Sequence, residues 1–101
     1  MLEITFNEPF NQVGPLHSLN LGRGLTPGGA VFPIDCLVYY DLEKSIVVLK
    51  EGYSVSRREG SDSFIFRSPD LRNGYIISVH KRKLVSIKDL TTNKLVYSAS
   101  A

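Results

Sequence analysis

The sequence contains one cysteine and no tryptophan, and it has no long apolar run. Because Cys36 has no partner cysteine in the chain, an internal disulfide is excluded. The apolar segments are far shorter than the roughly 20 residues of a membrane-spanning helix. The N-terminus also lacks the basic start and apolar run that mark a signal peptide. These absences predict a protein of the reducing cytoplasm with no membrane segment.

Helical periodicity is missing as well. No segment repeats its apolar residues every three or four positions for more than about one turn. The composition is otherwise ordinary for a globular protein, with 43% hydrophobic and 22% charged residues, which argues against disorder. At 101 residues, the chain has the size of one domain, residues 1–101.

Proline and glycine are concentrated near the N-terminus, where residues 7–35 hold four of the five prolines and five of the eight glycines. Prolines at this density interrupt both helices and strand ladders. The segment is nevertheless too apolar for a free linker, so we expect an irregular arm packed on a sheet. Before this arm, residues 1–6 alternate between apolar and polar and predict a first strand, with Leu2, Ile4 and Phe6 facing the core.

Short segments rich in Val, Ile, Tyr and Phe fill residues 36–101, and residues that favour turns separate them. This pattern predicts an all-β fold. We expect a single antiparallel meander of about seven or eight short strands, forming a small barrel or a strongly curved sheet. Residues 37–40 and 46–49 are apolar on both faces, which is typical of strands covered on both sides. The arm or a second subunit could supply the additional cover.

The period of two assigns side chains to faces within these segments. Phe64 and Phe66 should lie on one face of their strand. Nearer the C-terminus, Val85 and Ile87 should share a face opposite to Leu84.

No group of residues is typical of an enzyme active site. A nucleophilic Cys36 would need a base, and His17 and His80 could serve only if the fold brought one of them close. We favour Cys36 as a small apolar residue that opens a buried strand. The two histidines and the cysteine lack the spacing of zinc ligands. The sequence therefore predicts no catalytic residue, no metal and no cofactor.

A glycine-rich stretch in the arm offers an alternative site. Its backbone N–H groups and an arginine could form a nest for an anion. However, the spacing fits neither the dinucleotide-binding nor the phosphate-loop pattern, and no helix follows. We favour a loop that lets the arm bend. The residues of the alternative anion site are Gly22, Arg23, Gly24, Gly28 and Gly29.

The formal net charge of +2 is unevenly distributed. Residues 1–35 carry one cation and three acids, whereas residues 36–101 carry 11 cations and seven acids. Many of these cations fall near the ends of predicted strands, where a meander could gather them at one rim. They could protect strand edges, bind an acidic protein, or bind single-stranded nucleic acid beside exposed tyrosines. The candidate basic residues are Arg57, Arg58, Arg67, His80, Lys81, Arg82 and Lys83.

The leading functional hypothesis is a non-catalytic protein-interaction module, such as an inhibitor, an immunity-type protein or an assembly subunit. It would bind another protein or a second copy of itself through a sheet face or through the basic rim. A single-stranded nucleic-acid-binding barrel that uses the basic residues is the alternative. A third hypothesis is a barrel with a lumen for a small apolar ligand. The residues that would line this lumen are Phe64, Phe66, Ile77 and Tyr97.

Overall fold

The computed structural model describes residues 1–13, 18–21, 31–57, 59–70 and 76–99. These ranges hold β-strands and two short 3-10 turns, so the prediction of a mostly β protein is confirmed. No helix within them is long and apolar enough to cross a membrane. The strands are β1 Leu2–Phe6, β2 Phe10–Val13, β3 Ser18–Leu21, β4 Val31–Pro33, β5 Leu37–Asp41, β6 Ile46–Leu49, β7 Ser54–Arg57, β8 Ser63–Arg67, β9 Ile76–His80, β10 Leu84–Asp89 and β11 Lys94–Ser98. The 3-10 turns are Ile34–Cys36 and Lys81–Lys83.

The strands pair antiparallel in three sheets. Sheet A has the order β11-β10-β1-β6-β5, sheet B the order β2-β3-β4, and sheet C the order β7-β8-β9. The prediction of a single meander is wrong, because β1 lies between β10 and β6 and separates two hairpins. Its residue Glu3 pairs with Val48 on one side and with Lys88 on the other.

The described strands do not close into a barrel. Closure requires the two edge strands of a sheet to pair with each other. In sheet A, the edges β5 and β11 stand on opposite sides of three intervening strands. Sheets B and C are likewise open over the described residues.

The segment predicted as an irregular arm contains three strands within its described part, β2, β3 and β4. Pro9 immediately precedes β2, and Pro33 is the last residue of β4, which lies at an edge of sheet B. A proline at either place removes no central ladder hydrogen bond. The density of prolines predicted an irregular arm, but the position of each proline relative to the ladder decides whether a strand can form.

One hydrophobic core is shared by the three sheets. Phe10 and Phe32 of sheet B pack edge to face on Phe6 of sheet A, with ring centroids 4.9 and 5.5 Å from the Phe6 ring. T-shaped aromatic pairs of this kind stabilise beyond their area burial. The fully buried members of the core with the largest side chains are Phe32, Phe66, Ile4, Leu49, Leu84, Ile87, Val47, Val79 and Cys36.

Side-chain alternation holds where strands are regular and fails at a bulge. Phe64 and Phe66 are both buried, as the period of two predicted. In β10, however, Leu84 and Ile87 are buried while Val85 is 41% exposed. Thr5 pairs with Ser86 and Phe6 with Leu84, so the ladder skips Val85. This extra residue reverses the predicted faces of Leu84 and Val85.

Candidate interaction surfaces

Sheet C separates the predicted basic residues. Arg57 pairs with Phe64 near one end of β8, whereas Arg67 pairs with Ser54 at the other end. Positions 64 and 67 are three residues apart, which is about 10 Å along a strand and on opposite faces. Arg57 and Arg67 therefore do not belong to one patch. Arg58 lies outside the described residues.

Arg57 is engaged within its own hairpin. Its guanidinium carbon lies 5.6 Å from the centroid of the Phe64 ring, within the range of a cation–π contact. Its Nε also donates a hydrogen bond of 3.0 Å to the carbonyl of Ser61. These contacts fix the side chain over the β7–β8 turn and satisfy part of its hydrogen-bonding capacity.

The 3-10 turn Lys81–Lys83 joins sheet C to sheet A, and its first lysine is held by sheet C. The Nζ of Lys81 lies 3.2 Å from a carboxylate oxygen of Asp62, and the Lys81 backbone N–H donates to the Asp62 carbonyl at 2.7 Å. The Lys81 hydrogen bond lowers the pKa of the Asp62 carboxyl. His80 caps the turn, because its Nδ1 accepts from the backbone N–H of Arg82 at 3.1 Å.

The end of this turn is held by the connection between β1 and β2. Lys83 forms an ion pair with Glu8. The Asn7 backbone N–H donates to the Lys83 carbonyl at 3.0 Å, and the Asn7 side chain donates to the Arg82 carbonyl at 2.5 Å. Among the described residues, the Arg82 guanidinium forms no ion pair within 4.0 Å. Two of the predicted basic residues, Lys81 and Lys83, are therefore engaged in ion pairs that hold the turn in place.

The remaining predicted sites contribute little chemistry. Cys36 is buried, and its burial raises the pKa of the thiol, which disfavours the nucleophilic thiolate. Within the described ranges, no three His, Cys, Asp or Glu residues are placed to hold a metal ion. His17 and the glycine-rich anion site, residues 22–29, lie outside the described residues.

Sheet A has a second side, opposite its core side, which we call the outer face. Registered partners in neighbouring strands point to the same side of a sheet. Ile87, Ile4 and Val47 form one such row across three strands and are all fully buried, which identifies the core side. The rows on either side of them point away from the core. The outer face comprises Tyr39, Val48, Glu3, Lys88 and Leu95 in the first row, and Asp41, Ile46, Thr5, Ser86 and Ser98 in the second.

Large apolar side chains are exposed at both edges of the outer face. Tyr39 is 54% exposed and Leu95 is 60% exposed. Val48 lies between them, is only 6% exposed, and is not a member of the central core cluster. Residues 37–40 were expected to be covered on both sides, but Tyr39 is not. The apolar pattern of β5 indicated one edge of this face. The residues that make up the rest of it are revealed only by the register of the five strands.

Bulges extend this apolar surface at each edge. The β5–β6 ladder skips Val38, which is 58% exposed, and the β10–β11 ladder skips Val96, which is 45% exposed. Clustered exposed apolar residues are typical of interaction sites, whereas isolated ones are common on any protein. Both edges of sheet A therefore carry adjacent exposed apolar side chains.

Comparison of the chain with protein-family models, with curated proteins and with solved structures found no match. Function is therefore inferred from the arrangement of the described side chains.

Proposed function

We propose that this protein is a non-catalytic protein-interaction module and that the outer face of sheet A is its contact surface. The observation that carries the proposal is that Tyr39 and Leu95, both more than half exposed, lie in one row on opposite edges of the same sheet face. An exposed tyrosine is a typical anchor of a protein interface, because it supplies a large contact area with few rotatable bonds. An inhibitor, an immunity-type protein and an assembly subunit are all consistent with such a surface.

The basic rim supports the proposal less than the outer face does. Lys81 and Lys83 already have carboxylate partners, and Arg57 contacts its own hairpin. Single-strand binding would also require aromatic side chains exposed beside the cations. Tyr39, the most exposed described tyrosine, belongs to sheet A, whereas Arg57 belongs to sheet C. We therefore treat nucleic-acid binding as an outcome to be tested.

The ligand-barrel hypothesis receives less support still. Phe64, Phe66 and Ile77 are buried members of the shared core. The Phe64 ring centroid lies 4.8 Å from that of Tyr97. A ligand would have to displace these packed side chains. We propose instead that the three sheets curve around one filled core, with a barrel-like outline and no lumen.

The proposed location is the cytoplasm. Cys36 is a free thiol held within the core, and a reducing compartment keeps such thiols unmodified. Binding there would not depend on oxidation of this residue.

The proposal is tested by quantitative capture from an extract of the source cells. Wild-type protein is compared with Tyr39→Ser/Leu95→Ser and with the control Val31→Ser/Ile76→Ser, which removes two exposed apolar residues from sheets B and C. Proteins that the wild type and the control retain, and that the outer-face variant loses, support the proposal. Equal capture by all three would contradict it.

Nucleic-acid binding is measured in parallel. A labelled single strand is titrated at low and at moderate salt, since counterion release favours binding at low salt. Salt-sensitive binding that Arg82→Ala weakens and Tyr39→Ser/Leu95→Ser leaves unchanged would replace the proposed function with the alternative.

A further inference from the structure

The centre of the outer face carries two opposite charges in neighbouring strands. Glu3 of β1 and Lys88 of β10 are registered partners. Val48 follows on the Glu3 side, and Leu95 follows on the Lys88 side. Across four strands the order is therefore apolar, cationic, anionic, apolar. A twofold axis that runs parallel to the strands, between β1 and β10, would place the cation of one copy opposite the anion of the other. It would also place the apolar residue at one end of the row opposite the apolar residue at the other end.

We propose that the outer face binds a second copy of this chain across that axis, face to face. This inference rests on the proposed function and names its partner. Each Glu3 then lies opposite the Lys88 of the second copy. Each Leu95 lies over the position of the second copy's Val48, which is only 6% exposed and adds little contact area. In the second row, Thr5 faces Ser86. No two like charges are brought opposite each other.

Tyr39 adds a contact at the rim of the proposed dimer. Sheet A has three strands on the β1 side of the axis and two on the β10 side. Tyr39 of β5 therefore extends beyond the β11 edge of the second copy, where Val96 is 45% exposed. The twofold axis thus brings Tyr39 of one copy to the edge that carries Val96 in the other.

The charge of the outer face favours a second copy over an acidic protein. Glu3 and Asp41 oppose the single cation Lys88, so the described side chains of this face carry no positive excess. An acidic partner would leave the carboxylates without a counter-charge. A second copy supplies one cation for each Glu3.

The contact area sets the expected strength. Four strands spaced about 4.8 Å apart, each contributing about five residues at about 3.3 Å, form a flat patch of roughly 300 Å² per copy. Even with the overhanging Tyr39 side chains, the total buried area falls at the low end of specific interfaces, below about 1,200 Å². We expect a dimer that forms at micromolar or higher concentrations.

The inference is tested by sedimentation velocity between about 1 µM and about 500 µM. The wild type should change from monomer to dimer within this range. Glu3→Lys and Lys88→Glu should each weaken self-association at least about tenfold, because like charges then meet across the axis. The matched controls Glu59→Lys and Arg67→Glu change charge at exposed positions outside sheet A and should behave as the wild type.

Mixing the two charge variants tests whether Glu3 and Lys88 interact between two copies or only within one sheet. An equimolar mixture of Glu3→Lys and Lys88→Glu places two cations on one face and two anions on the other. It should form a heterodimer at concentrations where neither variant dimerises alone. Thermal melts identify any variant that fails to fold. If a charge variant fails to fold, the proposed dimer requires that Tyr39→Ser/Leu95→Ser dimerise more weakly than Val31→Ser/Ile76→Ser.

A wild type that remains monomeric at every concentration would overturn the inference. A dimer that neither charge variant weakens, or a mixture that dimerises no better than its components, would do the same. If the protein is monomeric and the outer-face variant still loses captured proteins from the extract, the proposed function stands and only the second copy is rejected. If it is monomeric and capture is unaffected, both are rejected.

Discussion

Lys83 forms an ion pair with Glu8, which lies 75 positions earlier in the chain. The pair connects the 3-10 turn between sheets C and A to the link between β1 and β2. The two side chains are 28% and 33% exposed, so solvent screens the pair less than it screens an ion pair on the open surface. The ion pair therefore fixes the turn Lys81–Lys83 relative to the link between β1 and β2.

Removing one partner of this pair should destabilise the fold. We expect Glu8→Gln or Lys83→Met to lower the free energy of unfolding by about 1 kcal/mol each, and the double variant to lose less than the sum. Urea denaturation of the four proteins measures the coupling. Arg82→Met is the control, because it removes an exposed cation next to Lys83. A coupling energy of zero would contradict the assignment.

The Asp62–Lys81 pair should make stability depend on pH. The Lys81 hydrogen bond lowers the folded-state pKa of Asp62 below its ordinary value of 3.8, so the unfolded state binds the proton more readily. The contribution is therefore fully present above pH 4 or so and is lost as the pH falls through the lowered pKa. We expect wild type to be more stable than Asp62→Asn at pH 6, and the difference to disappear at low pH. Denaturation over this range measures it. A difference that grows on acidification would contradict the sign.

Local chemistry predicted much of the sheet structure. Alternating residues placed Phe64 and Phe66 correctly, because β8 is regular. The same alternation misplaced Val85, because the bulge in β10 arises from pairing with β1, which lies about 80 residues earlier in the sequence. The same limitation applies to the order of sheet A, in which β1 lies between β6 and β10. No local signal specifies such a partner.

The candidate surfaces were harder to predict than the strands. The cluster Lys81–Lys83 is evident in the sequence, but the carboxylates that pair with its lysines are not. Asp62 lies in the turn between β7 and β8, and Glu8 lies 75 positions before Lys83. The outer face is harder still, since it combines residues from five strands. Its apolar edge could be suspected from the apolar segment at residues 37–40, but its charged centre required the register of Glu3 and Lys88.

Two glycines should respond differently to the same substitution. Gly52 and Gly60 both have positive φ, +94° and +79°, where an L-residue is strained. A Cβ at Gly52 would also lie 3.0 Å from the Cγ of Pro69, whereas a Cβ at Gly60 would meet no atom within 4 Å. We expect Gly60→Ala to cost about 1 kcal/mol of unfolding free energy and Gly52→Ala to cost more. Chemical denaturation measures both.

Pro69→Gly provides the control for Gly52. In that background the Pro69 Cγ and Cβ atoms, 3.0 and 3.1 Å from the added Cβ, are both removed, so Gly52→Ala should cost about as much as Gly60→Ala does. An equal cost in both backgrounds would show that the contact with Pro69 does not contribute.

Phe32 tests whether sheet B is part of the shared core. It is fully buried, and its ring centroid lies 5.5 Å from that of Phe6 in sheet A. We expect Phe32→Ala to lower the free energy of unfolding by about 3–5 kcal/mol, and Phe32→Leu to lower it by less. Val31→Ala, at the exposed neighbouring position, is the matched control. A small effect of Phe32→Ala would indicate that the remaining core folds without sheet B.

The β5 edge distinguishes the proposed dimer from one formed by edge pairing. The Lys50 N–H donates to the Cys36 carbonyl at 2.9 Å, and the Phe6 N–H donates to the Ser45 carbonyl at 2.9 Å. Even-numbered residues of β6 therefore bond to β5, and odd-numbered ones bond to β1. Because bonded pairs alternate in an antiparallel ladder, the backbone N–H of Tyr40, the partner of Val47, points away from β6.

The rate of amide hydrogen exchange should therefore differ between the adjacent residues Tyr39 and Tyr40. We expect the Tyr39 amide, opposite Val48, to exchange slowly and the Tyr40 amide to exchange rapidly. Face-to-face dimerisation leaves the β5 edge open, so Tyr40 should remain unprotected at concentrations where the dimer forms. Dimerisation by edge pairing would protect this amide through a new ladder bond. Protection of Tyr40 that rises with protein concentration would therefore reject the proposed axis in favour of a dimer joined through β5.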